Sequence, residues 1–297
     1  MNRLTLLTIM IIGVFASNTI AQEYGTAFRV GLNFTRFIAP SETGTTGDLE
    51  EFSSSTGFHV AGGIIFKLLE NYGVKAEVMF TQVGGRYRYE GESVLIYTPP
   101  FTTEPVLSSG TRTTTLRITN SYIQLPVVGY AKLGKLEFQL GASIGFLISS
   151  NGIGTFRYEG KSANGMPIEP YAISLDHNYI RNELLTLEDL QNPDLERLDP
   201  FFVDGQTVTL PATFNAYDTF SEKDGRFYNT VDLGLVGGVS YYLNKGLFVG
   251  LRVNYGLLDA SNDFYDFSKR ESNGLEPISR SDKDSNLSFE TSIGFSF

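Results

Sequence analysis

Beyond Gln22, apolar and polar positions alternate with a period of two over much of the chain, the pattern of strands with two differently solvated faces. In residues 136–149, Leu136, Phe138, Leu140, Ala142, Ile144, Phe146 and Ile148 share one face. Glu137, Gln139, Gly141, Ser143, Gly145 and Ser149 share the other. A strand of about 9–11 residues crosses a bilayer at a tilt, and this one is long enough. The same alternation marks residues 28–35, 58–68, 74–81, 231–241, 249–256 and 287–297. An eighth strand is expected over residues 114–132. Pro126 lies inside it and has no N–H for the ladder, so a bulge or irregular pairing is expected there.

The connections alternate as well. Glu70-Asn71-Tyr72-Gly73, Leu133-Gly134-Lys135 and Asn244-Lys245-Gly246 are short, glycine-bearing hairpins. The other four, over residues 39–56, 91–113, 150–225 and 259–283, are long. Short turns at one end and long loops at the other predict an all-β, transmembrane, antiparallel up-and-down β-barrel with periplasmic turns and extracellular loops. Eight strands are expected, or ten if the longest loop adds two.

A soluble barrel alternates too, with its apolar face inward, so the polar face decides. Here it is rich in Gly, Ser, Asn and Thr and carries isolated charges: Arg29, Lys67, Lys75 and Arg252 against Glu77, Glu137, Asp232 and Glu290. Four of each sign suit a narrow lumen filled by side chains, where charges must be paired. Aromatic residues gather near the strand ends, where amphipathic rings favour headgroups. Tyr72, Tyr241 and Tyr242 stand by the short turns, and Tyr87, Tyr89, Phe156, Tyr158 and Tyr228 by the long loops. On the final strand Phe289, Ile293, Phe295 and Phe297 share a face, resembling the C-terminal signal read by the bacterial barrel-assembly machinery.

Composition narrows the function. The 297 residues carry 23 Lys and Arg against 33 Asp and Glu, a net charge of −10, which argues against nucleic acid as a partner. No cysteine is present, so disulfides, Cys-bound metals and lipidated cysteine are excluded. A basic start, an apolar run over residues 4–16 and the Thr19-Ile20-Ala21 site predict an export signal over residues 1–21 and a mature barrel over 22–297. Localisation in the outer membrane follows.

With the strands placed, the chain resembles the PorT-like outer-membrane β-barrel proteins of Bacteroidota, among the porin-family barrel-domain proteins. The resemblance rests on Ser121-Tyr122-Ile123-Gln124-Leu125-Pro126-Val127-Val128-Gly129-Tyr130, with Gln124 where the family commonly has an acidic residue, and on the strand after it. It implies an outer-membrane barrel with a role in envelope or secretion-system assembly.

Candidate chemistry lies in the loops. Between Glu159 and Gly225 stand 13 acidic and 4 basic residues, a net of −9. Within this segment Thr186 to Asp189 has the form of a capping box before a short helix, and Asp204-Gly205 suggests a hairpin. Asp259, Asn262, Asp263 and Asp266 lack the spacing of a calcium loop. The two histidines are His59, expected to hydrogen-bond in the lumen, and His177, which follows Asp176 in an arrangement open to acid–histidine catalysis. The reading that fits most of the sequence is a non-enzymatic scaffold or envelope-assembly component without a cofactor. Its partners would be outer-membrane lipid, the barrel-assembly machinery and envelope or secretion-system proteins. A small channel for ions or solutes is the alternative, and a surface protease the third reading.

Overall fold

The computed structural model describes residues 23–45 and 47–297; the expected export signal lies outside them. Strand β1 spans Glu23–Ile38, β2 Glu50–Ser53, β3 Ser55–Leu69, β4 Tyr72–Tyr97, β5 Val106–Leu133, β6 Leu136–Ser162 and β7 Pro167–Asn178. A one-turn helix α1 (Leu187–Gln191) precedes β8 (Phe201–Val203), β9 (Gln206–Val208) and β10 (Thr213–Phe214). The chain then forms β11 (Val231–Tyr242), β12 (Leu247–Gly256), β13 (Phe267–Asn273), β14 (Glu276–Ser279) and β15 (Ser285–Ser296).

Among the described residues, eight of these strands close a ring: β1, β3, β4, β5, β6, β11, β12 and β15, each antiparallel to the next. The ring shuts where β15 returns to β1, in one unbroken register from Ala27–Ser296 to Ile38–Ser285. Closure removes the edge strands, so every wall segment in the membrane finds backbone partners.

The ring is inside out relative to a soluble protein. Leu140 is 75% exposed, Leu251 58% and Phe289 50%, while Glu137, Asn33 and His59 inside are fully buried. The outward aliphatics and aromatics, including Ile293, Phe295 and Phe297, form a belt that lipid must cover. Tyr72 and Tyr241 stand outward at the short-turn end, whereas Tyr242 points into the lumen. Pro126 keeps its register with Ser143, and the ladder to β4 lapses between the Ala76–Val127 and Met79–Gln124 pairs without shifting. The missing N–H therefore produces a gap where a bulge was one expectation. The bulge lies on β6 instead, at Ile148, which is skipped between the Ser121–Ser149 and Tyr122–Leu147 pairs.

Above the ring nearly half of the residues in the long connections turn out to be strand. β4, β5 and β6 continue upward together, β2 takes the free edge of β4, and β7 takes that of β6. The result is a standing blade in the order β10-β7-β6-β5-β4-β2. The acidic segment folds against it. Thr186 caps α1 through the expected reciprocal capping box, and Asp204-Gly205 turns the β8–β9 hairpin. Leu190, Val203, Val208, Leu210 and Phe214 pack onto Tyr97, Phe156, Tyr158 and Ile173. Phe156, Tyr158 and Tyr228, expected among headgroups, are buried in cores of this outer part instead; Tyr89 is buried with its ring beside Arg112, and Tyr87 packs half-buried against one of the cores. Wall strands that stand in water need an apolar core of their own.

The outward belt makes a direct prediction. Leu251→Arg, at the middle of the β12 stretch, should cost about 2–4 kcal/mol of stability in phospholipid vesicles, read from urea unfolding. Leu251→Ala should cost far less than the same truncation in a packed core, because lipid refills the space. A loss above about 3 kcal/mol for the alanine variant would mean that protein covers this face.

Candidate functional site

The lumen holds a single connected network to which all eight ring strands contribute. At its centre the Glu77 carboxylate on β4 accepts from two arginines. Its Oε2 takes Arg29 Nε at 3.1 Å and Arg252 Nη1 at 2.7 Å, and its Oε1 takes Arg252 Nη2 at 2.8 Å. Arg29, on β1, also donates to Glu290 of β15 at 3.1 Å, and its Nη1 lies 2.9 Å from His59 Nε2 of β3. Arg252 Nε on β12 donates to Gln139 Oε1 at 2.6 Å, and Gln139 Nε2 donates to Glu137 at 2.6 Å, both on β6. Glu137 pairs with Lys75, accepts from Tyr242 of β11 at 3.1 Å, and lies 3.7 Å from Lys132 of β5.

Three buried cations and three buried anions therefore balance, with Lys132 a fourth cation at the rim. Bidentate guanidinium–carboxylate geometry supplies directional bonds as well as charge, which suits a site from which water is largely excluded. Packing is tight enough that Gly31 has no room for a side chain. A Cβ there would sit 1.8 Å from the Thr291 carbonyl oxygen and 2.7 Å from the His59 ring.

Six of the eight charges singled out in the sequence meet here: Arg29, Lys75, Glu77, Glu137, Arg252 and Glu290. Two do not. Lys67 occupies the correct face but the exposed short-turn end of β3. Asp232 sits toward the opposite end, where it accepts from Asn286 Nδ2 at 3.0 Å. Gln139 stands on the polar face already recognised, but its bridging role depends on height along the barrel. Lys132 was missed because Tyr122, Pro126, Val128 and Tyr130, all on the inward face of β5, blur the alternation.

Above the charges lies a neutral polar layer. Asn33 Nδ2 donates to Thr81 Oγ1 at 2.8 Å and to the Gln82 carbonyl at 2.9 Å, while Asn33 Oδ1 lies 2.6 Å from His59 Nδ1. Higher still, Phe37, Tyr122, Leu147, Tyr179, Tyr217, Tyr228 and Tyr265 form an aromatic plug across the outer mouth. Tyr217 donates to the Tyr179 carbonyl at 2.6 Å, and the Tyr179 and Tyr228 rings meet edge-on with centroids 4.9 Å apart.

A second buried carboxylate clasps the outer connections. Glu50 on β2 accepts from Arg280 at 2.7 Å, Lys269 at 3.0 Å, Tyr87 at 2.8 Å and the Glu42 amide at 2.9 Å. Burial alone would raise its pKa, but Lys269 and Arg280 outweigh that and hold it at about 2. Asp266, near Arg280, is pushed up to about 6 by burial in spite of that arginine.

His177 and Asp176 are consecutive on β7 and their side chains leave opposite faces of the strand. His177 Nδ1 lies 2.9 Å from the Tyr179 hydroxyl, and burial lowers its pKa to about 4. Asp259 accepts from the Ser261 and Asp284 amides, and Asn262 caps a short 3-10 turn. Among the described residues no cluster of three or more His, Asp or Glu is arranged to hold a metal ion.

A closed antiparallel ring with an apolar belt outside and paired charges inside defines a transmembrane β-barrel. The chain belongs to the outer membrane protein beta-barrel domain family, whose family model matches residues 20–262, and that membership places it in the outer membrane. Similar solved structures include Ail, the attachment invasion locus protein of Yersinia pestis, at 9% identity and TM-score 0.35, covering 93% of this chain and 99% of that one. They also include the outer membrane protein OprG from Pseudomonas aeruginosa, at 9% identity and TM-score 0.30, covering 93% and 97%. The outer membrane protease OmpT from Escherichia coli is similar at 9% identity and TM-score 0.28, covering 95% and 98%. No curated protein sequence matches the chain.

Two predictions follow from these carboxylates. Glu77→Ala strands two guanidinium groups in the lumen and should cost about 3–5 kcal/mol, seen as a lower urea midpoint in vesicles. Glu90→Ala, which removes only the exposed partner of Arg88, should leave that midpoint in place. For Glu50 the folded pKa lies below its ordinary value of 4.5. The clasp is therefore at full strength above about pH 4.5 and weakens as pH falls toward 2. The shift corresponds to a stabilisation on the order of 3 kcal/mol. Glu50→Gln should abolish this part of the acid sensitivity of protease resistance in the outer connections. Subtracting the variant from the parent removes the opposite contribution of Asp266, which is common to both.

Proposed function

We propose that the protein is a non-enzymatic outer-membrane scaffold, PorT-like in role, that serves envelope or secretion-system assembly by presenting a folded acidic blade to protein partners. The observation that carries this reading is the filled lumen: a network anchored on all eight strands, beneath an aromatic plug. Eight strands leave an interior just wide enough for side chains, and here charged groups occupy it. Solute passage would require breaking buried ion pairs and moving the plug. The blade supports a binding role because its acidic segment is folded onto an apolar core and so displays fixed chemistry. The expectation that no reaction is catalysed is supported at His177, whose neighbour Asp176 points away from it. The barrel-assembly machinery is the proposed partner during biogenesis, through the outward face of Phe289, Ile293, Phe295 and Phe297.

Single-channel recording of the refolded chain in planar bilayers tests the proposal. Quiet traces are expected across ±100 mV. Steady nanosiemens-scale openings would transfer the protein to the small-channel class. A deletion strain assayed for cell-surface export addresses the assembly role, and undiminished export would count against it.

A further inference from the structure

The outer face of the blade carries an arrangement that the scaffold role does not use. Arg86 on β4 and Arg117 on β5 are directly opposite in the ladder, and both side chains are exposed on the outer face. Among the described residues neither makes a hydrogen bond or an ion pair. Like charges directly opposite across two strands repel and destabilise the pair. Arg88, one outward position higher, is already held by Glu90. These arginines line a shallow depression of about 280 Å³ with Thr115, Ile153 and Glu51. With Glu90 counted beside Glu51, three cations face two anions there, on a chain whose net charge is −10.

Height decides what meets this patch. The Phe80–Ile123 pair lies at the upper edge of the outward apolar belt, and Arg86 and Arg117 are each six residues beyond it. At about 3.3 Å per residue and a tilt near 40°, they stand roughly 15 Å above the hydrocarbon edge. That is the sugar–phosphate layer of an outer leaflet built from phosphorylated glycolipid. The patch faces sideways, along the membrane, rather than out to solution. Next to Arg117 on β6, Ile153 is 69% exposed, apolar surface that a neighbouring lipid can cover.

We propose that Arg86 and Arg117 form a binding site for the phosphate groups of the outer leaflet's anionic glycolipid. One phosphate between the two guanidinium groups neutralises the repulsion and accepts bidentate bonds from both. The Thr115 hydroxyl, which lies 3.0 Å from that of Thr155, is available to sugar or phosphate oxygens. A soluble polyanion would have to approach an acidic protein from solution, whereas the lipid is delivered laterally.

The test is binding of bisphosphorylated lipid A to the refolded full chain in neutral detergent micelles. The expected result is a loss of about 10- to 30-fold in affinity for the Arg86→Gln/Arg117→Gln double variant. The parent should lose a similar factor toward dephosphorylated lipid A, and Arg88→Gln should change binding less than about twofold. Without lipid, the double variant should be as stable as the parent or more so, since the repulsion is gone. Equal binding by parent and double variant would overturn the proposal. So would a lower urea midpoint of the lipid-free double variant, which would make the arginines structural. Heparin or inorganic pyrophosphate binding that lipid A fails to displace would assign the patch to soluble anions and reject the lipid.

Discussion

Glu77 sits between Arg29 and Arg252 with all three side chains buried in the lumen, and much of the architecture follows from that constraint. Each of these ions gave up hydration to enter the lumen, and only the opposite charge across the barrel compensates the loss. The partners lie on different strands, so compensation requires β1, β4, β12 and β15 at fixed relative heights. A strand shifted by one residue would turn its arginine into lipid and its aliphatics into the lumen. Lumen and belt thus enforce the same register from opposite faces. Gln139 extends the constraint by joining the Glu77 group to the Glu137 group, so the two charge clusters cannot be placed independently.

This also explains which parts of the design were legible in the sequence. Alternation reports the face on which a side chain stands, because the period of a strand is two. Arg29, Glu77 and Glu137 are therefore readable by alternation as inward-phased positions, and they are buried in the lumen. Alternation does not report height, which depends on the stagger between neighbouring strands. Lys67 and Asp232 share the inward face with the network yet stand at opposite ends of the tube. β5 hid Lys132 because its inward face carries Tyr122, Val128 and Tyr130, so neither face reads as polar. The family resemblance rested on this same strand, which identified the kind of barrel without resolving its contents.

The extent of the strands was the other illegible feature, and Ile148 supplies the physical reason. Below it the even-numbered residues of β6, such as Leu140 and Phe146, face lipid. The bulge consumes one residue, and above it the even-numbered Phe156 and Tyr158 face inward. One strand therefore serves two solvents, with apolar groups outward in the bilayer and inward in water. Read without the bulge, Phe156 and Tyr158 fall on the lipid side, where they look like a headgroup girdle. The outward positions above the belt are mostly Thr, Arg and Glu, whose contrast with small or aromatic inward residues is weak. Strand structure continues there with little change in the sequence to announce it.

The distribution of charge obeys the same change of solvent. In the lumen, where pairing is obligatory, acids and bases balance. Along the outward face of the belt the aliphatic and aromatic side chains leave no place for ions. The excess of acid lies in the segment folded on the blade, where water solvates carboxylates and repulsion between them is screened. Where an acid does become buried in the outer part, at Glu50, two cations and a tyrosine close around it. Arg86 and Arg117 depart from this order, a pair of like charges placed together with no acid between them. Their cost to the isolated chain is consistent with a lateral site completed by the membrane, in the same way that lipid completes the apolar belt below.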